Sequence, residues 1–145
     1  MYPRLAQAMQ IVTGESHRTI EAADAVLVAS GTAALECALY KKPMVVGYKM
    51  PALTGMIMQK KALIHCVSLP NILLGETIQP ELLQDEVEPH RIARELLRLY
   101  RGESAREKTC AKLIEACKRL GPPGAAGRVA AKILEAAHDK RHSGE

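Results

Sequence analysis

The sequence predicts an α/β fold in which helices alternate with the strands of a parallel sheet. Two apolar runs of strand length, 25–29 and 44–48, flank a helical pattern over 33–40, and the connections between them are short. A strand, a helix and a strand in this order favour a right-handed crossover with the two strands parallel. After residue 80 the periodicity becomes helical, which predicts a helical C-terminal tail.

The first residues contain weaker patterns that extend this alternation. Apolar residues at helical spacing predict that a helix ends near Met9, and 10–13 is predicted to be a short strand. Gly14 interrupts the pattern, and Ser16 is predicted to cap a short helix that includes 19–23. A helix that leads directly into a short strand is typical of the middle of a fold, so we expect the chain to begin inside a domain.

The segment between the second strand and residue 80 contains one more predicted helix and a weak strand. The helix is predicted over 52–63, where a methionine-rich stretch precedes two lysines. This stretch favours packing against the core or a partner domain, with insertion into an anionic membrane surface as the alternative. The weak strand, 65–68, is expected to stop at Leu69-Pro70-Asn71.

Four helices are predicted in the remaining residues. They begin at Pro80, at Pro89 with a stop at Gly102, at Ser104 with an end near 120, and at 125 with an end near 138. The apolar face of the second contains Ile92, Leu96, Leu97 and Tyr100. The one clear break is Gly121-Pro122-Pro123-Gly124, and 139–145 is expected to fray.

The composition fits one globular domain with an aliphatic core. Of the 145 residues, 48% are hydrophobic but only 3% are aromatic, all of them tyrosine, so nucleic-acid binding through stacked aromatic rings is not expected. The net charge of +4 is mild and spread along helical segments. It is explained by a solvated surface or by attraction to an anionic ligand or membrane.

The cysteines and histidines indicate neither disulfides nor a metal site. The four cysteines lack a C-x-x-C pair, and Cys110 and Cys117 lie about 10 Å apart along one predicted helix, too far for a disulfide. We therefore expect reduced thiols in a cytoplasmic protein. His138 and His142 have a possible ligand spacing but fall in the polar tail, so no metal is predicted. No signal pattern and no apolar run of about 18 residues occurs.

The residues Ser30-Gly31-Thr32 and Glu36 are the candidate site. They follow the carboxyl end of a predicted strand, where unpaired N–H groups and the dipole of a starting helix favour a phosphate. Gly31 lets a ligand approach the backbone closely, while Ser30 and Thr32 carry hydroxyl donors. Glu36, one turn later on the same face, suits the hydroxyls of a nucleotide sugar. The same pattern also suits simple helix capping, so spacing alone leaves both interpretations open.

Two motifs together, Ser-Gly-Thr-Ala-Ala-Leu-Glu at 30–36 and Ser-Leu-Pro-Asn at 68–71, closely resemble the C-terminal region of lipid-A-disaccharide synthase. That family is a bacterial glycosyltransferase of the GT-B type. The likeness includes 24–36, 42–48, 67–71 and 80–84 and continues more weakly to the last helices. It therefore extends over most of the chain.

The resemblance implies a Rossmann-like parallel sheet of a GT-B C-terminal domain, incomplete in this chain. Residues 1–120 would be a partial donor-nucleotide-binding domain, and 121–145 a C-terminal helix and tail. The family transfers 2,3-diacylglucosamine from its UDP-linked donor to lipid X, which releases UDP and forms the lipid A disaccharide. No metal or organic cofactor is expected, and the partners are UDP-2,3-diacylglucosamine and lipid X.

The same resemblance implies roles for five residues. Ser30, Gly31 and Thr32 match the segment that meets the pyrophosphate, and Glu36 matches the acid that holds the ribose. Asn71 matches an asparagine that, with its flanking loop, lines the donor site. The general base is expected in a missing N-terminal domain. No catalytic residue is therefore expected in this chain, and the isolated chain is expected to be inactive.

The loop after Asn71 departs from the family pattern. The family usually continues Pro-Asn-Leu-Leu-Ala-Gly-Arg-Glu, whereas Glu76 stands here in place of the arginine and Thr77 in place of the glutamate. Any role that depends on the charge of that pair is therefore open.

Two alternatives remain at this point. One is another GT-B glycosyltransferase with a UDP-sugar donor. The other is a non-catalytic split subunit or remnant that needs the N-terminal half or a second protomer. The family implies a cytoplasmic protein, peripheral on the inner membrane of a Gram-negative bacterium.

Overall fold

A three-stranded parallel sheet with helices on both faces forms the centre of the protein, which confirms the α/β prediction. The computed structural model describes residues 8–49 and 66–142, with side chains as far as residue 136. The predicted helices near Met9 and over 52–63 lie wholly or largely outside these ranges. The helices are α1 Ser16–Ala22, α2 Thr32–Leu39, α3 Leu69–Leu74, α4 Pro89–Arg101, α5 Glu103–Arg119 and α6 Ala125–His142.

The strands β1 Val26–Ala29, β2 Met44–Tyr48 and β3 Glu81–Leu83 lie in that order in the sheet. Val28 of β1 is opposite Val46 of β2, which is opposite Glu81 of β3. The connection from β1 to β2 is α2, as the sequence predicts. A crossover helix of this kind allows neighbouring strands to run parallel.

The two faces of the sheet bury different side chains because successive residues of a strand point to opposite sides. On one face, Met44 and Val46 pack with Ala34 and Cys37 of α2 and with Leu113 of α5. On the other face, the core contains Val45 of β2, Leu82 of β3 and Leu99 of α4. The first face is the one that α2 covers, and α2 begins at the candidate site.

The third strand is not where the sequence predicts it. Pro80 was expected to open a helix, but Glu81–Leu83 is a strand followed by a short 3-10 helix, Gln84–Glu86. The Pro80 carbonyl accepts a hydrogen bond from the Val46 N–H at 2.9 Å, which adds a bond between the central strand β2 and the start of β3. Proline can occupy this position because only its carbonyl is needed.

Two other predicted strands are wrong. Residues 10–13 are not a strand, and Ile11 and Val12 are exposed. A strand needs a neighbour to bond its backbone, and this segment pairs with none in the described ranges. The described part of 65–68 is also irregular, and it leads directly into α3, a helix that the sequence interpretation missed. Pro70 lies in the first turn of α3, where its missing N–H costs nothing.

The C-terminal helices agree with the prediction in position. α4 begins at Pro89 and stops at Gly102, and α6 begins at the predicted residue but extends to His142, beyond the expected end at 138. The predicted face of α4 is only partly correct, because Leu99 is fully buried while Leu97 and Tyr100 are exposed. In the part of the chain that the structure describes, no helix is both long and apolar enough to cross a membrane.

Candidate functional site

Gly31 forms the turn between β1 and α2. Its backbone has φ +148° and ψ −158°, a region that is open to glycine and strained for other residues. Among the described residues, apart from its chain neighbours, no atom lies within 4 Å of the point where a Cβ would be. Glycine is therefore required here by backbone conformation, and a ligand can reach the main chain.

The N-terminus of α2 is exposed and has no side-chain cap. Gly31, Thr32 and Ala33 are all exposed, and no side chain in the described ranges bonds to the first N–H groups. The first N–H groups of a helix have no partner within it, and the helix dipole adds positive potential at this end. Such an end is suited to a phosphate or another anion.

Ser30 connects this turn to the second motif. Its hydroxyl donates a hydrogen bond to the Val67 carbonyl at 3.0 Å, although the two residues are 37 positions apart. The segment that contains Ser-Leu-Pro-Asn is therefore adjacent to Ser-Gly-Thr, as the resemblance requires. Because a hydroxyl has one proton, Ser30 does not donate to a ligand in this arrangement. Thr32 is the hydroxyl at the turn that remains available.

Glu36 lies one turn beyond Thr32 on the same side of α2 and is half-buried. No lysine or arginine of the described ranges forms an ion pair with it. Its charge contributes, after burial, to a raised pKa of the neighbouring Cys37 thiol. Within the described residues, the Glu36 carboxylate thus lacks an ion-pair partner and lies one turn from the start of α2.

Asn71 is fully buried rather than open to a ligand. Its Oδ1 accepts hydrogen bonds from the N–H groups of Ile78 and Gln79 at 3.0 and 3.3 Å. Its Nδ2 donates to the Gln79 carbonyl at 3.0 Å and to Oε1 of Glu81 at 2.8 Å. Both amide protons and the amide oxygen are engaged, so Asn71 holds the loop after α3 in this structure and offers a ligand no free polar atom.

Glu81 is a residue of this region that the sequence interpretation missed. Its carboxylate accepts hydrogen bonds from the N–H groups of Val67 at 2.7 Å and Ser68 at 2.8 Å, and from the Ser68 hydroxyl at 2.6 Å. The available signal was a carboxylate beside two leucines after a proline, but that pattern equally suits a helix start. Glu81 thus holds the two residues that directly precede α3, Val67 and Ser68.

The loop that departs from the family pattern makes its own contacts. Glu76 forms a 2.6 Å ion pair with Lys112 of α5, and both side chains are about half exposed. The pKa of Lys112 is raised above its usual 10.5. The largest cause is its hydrogen bond to Glu76, and the next is its hydrogen bond to Glu115. Thr77 lies against Cys66, with Oγ1 and Sγ 3.9 Å apart. The pair Glu76–Thr77 thus faces α5 and the segment before α3.

Among the side chains that the structure describes, the cysteines and histidines form no candidate site. All four cysteines are free thiols, and burial raises the pKa of both Cys37 and Cys117. His17 packs against the ring of Tyr40 with centroids 5.9 Å apart. Across the described side chains, 8–49 and 66–136, no three His, Cys, Asp and Glu residues come together as metal ligands would.

Comparison with known proteins agrees with the two motifs. Residues 4–126 match the family model described as lipid-A-disaccharide synthetase. A lipid-A-disaccharide synthase from Thiobacillus denitrificans is 42% identical over 144 residues, which include 92% of this chain and 38% of that protein. A second, from Cupriavidus pinatubonensis, is 56% identical over 96 residues, 66% of this chain and 23% of that protein.

A third relative has the same name. The lipid-A-disaccharide synthase of Chromobacterium violaceum is 43% identical over 127 residues, which include 86% of this chain and 32% of that protein. The chain thus spans less than two fifths of the length of these relatives. The family match runs through the sheet, the open end of α2 and the Asn71 loop, and the chain therefore belongs to the lipid-A-disaccharide synthase family.

Proposed function

We propose that this chain forms part of the UDP-binding half of a glycosyltransferase that makes the lipid A disaccharide. In the proposed reaction, 2,3-diacylglucosamine moves from its UDP-linked donor to lipid X. Family membership supports the reaction, and the open N-terminus of α2 supports the role of this part in binding UDP. That helix end is the observation on which the proposal depends.

The proposed binding mode assigns one ligand group to each part of the site. The pyrophosphate bonds to the first N–H groups of α2, and Gly31 keeps the approach clear. Thr32 donates its hydroxyl to a phosphate oxygen. Glu36 lies about 6 Å along the helix from Thr32 and accepts the hydroxyls of the ribose. A carboxylate one turn from the phosphate avoids direct contact between two negative charges.

The proposed chemistry is a direct displacement with inversion at the sugar carbon. As the bond to UDP breaks, negative charge develops on the leaving phosphate, where the N–H groups and dipole of α2 stabilise it. The base that activates the lipid X hydroxyl is proposed to come from sequence outside this chain. Since both substrates carry acyl chains, we propose that the reaction takes place at a membrane surface.

A calorimetric titration of the chain with UDP tests this proposal. Glu36→Ala is expected to weaken UDP binding about tenfold, because it removes hydrogen bonds to a charged group. Glu107→Ala, which removes the same charge from an exposed position on α5, is the matched control and should leave the affinity unchanged. A folded chain that does not bind UDP, or equal effects of the two variants, would contradict the proposal.

The proposed division of labour has a separate test. The isolated chain, given the UDP-linked donor and lipid X, is expected to release no UDP above the rate without protein. Turnover would show that the base lies within these residues and would contradict the assignment.

A further inference from the structure

We propose that Glu81 is a positioning residue for the ligand-binding turn at Ser30-Gly31-Thr32. This inference rests on the proposed function, because it concerns the same site. Glu81 touches no ligand in this scheme. It accepts a hydrogen bond from the Val67 N–H, and the Val67 carbonyl in turn accepts one from the Ser30 hydroxyl.

The first step is the engagement of the Glu81 carboxylate. Four donors converge on it within 2.6–2.8 Å: the Val67 and Ser68 N–H groups, the Ser68 hydroxyl and Nδ2 of Asn71. Bonds to an ionised acceptor are roughly twice as strong as neutral ones. The carboxylate therefore joins β3 to the irregular segment before α3 and determines where that segment lies.

The backbone of Val67 carries this link further. Its N–H donates to Oε2 of Glu81 at 2.7 Å, and its carbonyl accepts the Ser30 hydroxyl at 3.0 Å. Val67 thus contacts β3 on one side and the end of β1 on the other. A shift of Val67 moves the acceptor on which the Ser30 side chain depends.

The third step is the position of Ser30 in the chain. It directly precedes Gly31, whose φ of +148° forms the turn into α2, and no described atom beyond the chain neighbours lies within 4 Å of where a Gly31 Cβ would be. Among the described residues, the hydrogen bond from Ser30 is a side-chain contact that holds this turn to a distant part of the chain. A chain of two hydrogen bonds therefore connects Glu81 to the geometry of the proposed phosphate site.

The charge of Glu81 matters as well as its shape. Replacement by glutamine puts an amide NH2 where one carboxylate oxygen stood, and each of those oxygens faces a backbone N–H, which can only donate. At least one of the Val67 and Ser68 N–H groups then loses its acceptor. Asn71, which has no free polar atom, donates to the same carboxylate and thereby belongs to the same hydrogen-bonded group.

The first experiment compares amide NMR spectra of the ligand-free chain with those of Glu81→Gln. The amides of Gly31, Thr32 and Ala33 are expected to shift together with those of Val67 and Ser68. The control is Glu107→Gln, which removes an exposed charge on α5 and should leave the turn unchanged. Unchanged turn amides in a folded Glu81→Gln variant would overturn the inference, whatever its effect on stability.

The second experiment is a double-mutant cycle on the UDP dissociation constant. Glu81→Gln and Ser30→Ala are each expected to weaken binding about fivefold to tenfold. If Glu81 acts through Ser30, the second substitution adds little to the first. The UDP dissociation constant of the double variant is then less than about twofold higher than that of the weaker-binding single variant. If the fold-changes of the two single variants multiply in the double variant, the inference is overturned. Glu81 would then affect binding independently of Ser30, as a general loss of stability would.

If Glu81→Gln does not fold, Ser68→Ala provides the test, because it removes one donor to the carboxylate and keeps both backbone bonds. It is expected to weaken UDP binding about twofold to threefold, and unchanged affinity would overturn the inference. A folded wild-type chain that does not bind UDP would instead overturn the proposed function. The link from Glu81 to the turn would then be judged by the ligand-free spectra alone.

Discussion

Gly31 determines the geometry of the candidate site at the scale of a single residue. Its positive φ turns the chain sharply from β1 into α2, and the missing side chain leaves the helix end open. Both properties come from the absence of a Cβ, so one atom added here would change the backbone rather than fill a pocket.

Gly31→Ala is expected to lower the free energy of unfolding by about 1–3 kcal/mol, because alanine is strained in this region of φ and ψ. Urea denaturation measures the change. Gly47→Ala is the matched control, since its Cβ would make ordinary contacts at 3.9 Å with Leu27 and Val87. If both variants lose the same stability, backbone strain at Gly31 is not the cause.

The buried thiol of Cys37 makes the free energy of unfolding depend on pH in the alkaline range. Burial, and then the charge of Glu36, raises the pKa of this thiol above its ordinary 9.0. The contribution of the protonated thiol is fully present below pH 9. It is lost as the pH rises toward the higher pKa of the folded state, because the unfolded chain releases its proton first.

The expected result is a free energy of unfolding that falls more steeply above pH 9 in the wild type than in Cys37→Ala. The difference between the two proteins reports this thiol alone, because the tyrosines and lysines that also ionise at high pH are present in both. Identical slopes would contradict the prediction.

At the scale of the element, α4 shows why a periodic pattern does not by itself identify the buried face. Leu96, Leu97, Leu99 and Tyr100 are adjacent apolar candidates, yet Leu99 is the fully buried one. It lies in contact with Val45 and Leu82 because the sheet approaches α4 from that side. The direction of approach depends on β3, which the sequence interpretation placed in a helix.

Leu99→Ala is expected to cost about 2–5 kcal/mol of stability, since it leaves a cavity in the core. Leu97→Ala, the same substitution two residues earlier, should cost less than about 1 kcal/mol because that side chain is 45% exposed. Urea denaturation of both variants compares the two faces. A larger loss at Leu97 would mean that α4 packs as the sequence pattern predicted.

At the scale of the whole molecule, α6 is set apart from the sheet. Val129, Ile133 and Leu134 are each more than half exposed, and α6 has no extensive contact with another described element. By contrast, Thr109, Leu113 and Ala116 of α5 are buried. Among the described residues, α6 therefore adds little to the packed sheet and α5. The domain boundary near residue 120 stays a prediction.

Removal of 122–145 is expected to change the free energy of unfolding by less than about 1 kcal/mol, because few buried contacts are lost. Removal of 103–145 should prevent folding, because Leu113 belongs to the core. Far-ultraviolet circular dichroism with urea denaturation measures both. A loss of several kcal/mol in the shorter deletion would show that α6 belongs to the packed unit.

The order of β1, α2 and β2, the glycine turn and the three C-terminal helices were predictable from the sequence alone. Each is encoded by a local pattern: an apolar run, a residue that breaks it, or a proline or glycine at a helix end. The family resemblance also followed from two short motifs, and the comparisons bear it out.

Only the tertiary structure decided that Glu81–Leu83 is a strand, that Asn71 is buried and that Glu81 meets the segment before α3. A Pro-Glu-Leu-Leu segment is compatible with a helix start and with a strand edge. The choice depends on Val46, whose N–H needs the Pro80 carbonyl, and on donors 10 to 14 residues away from Glu81. Patterns within one segment do not contain such partners, because they meet only when the chain is folded.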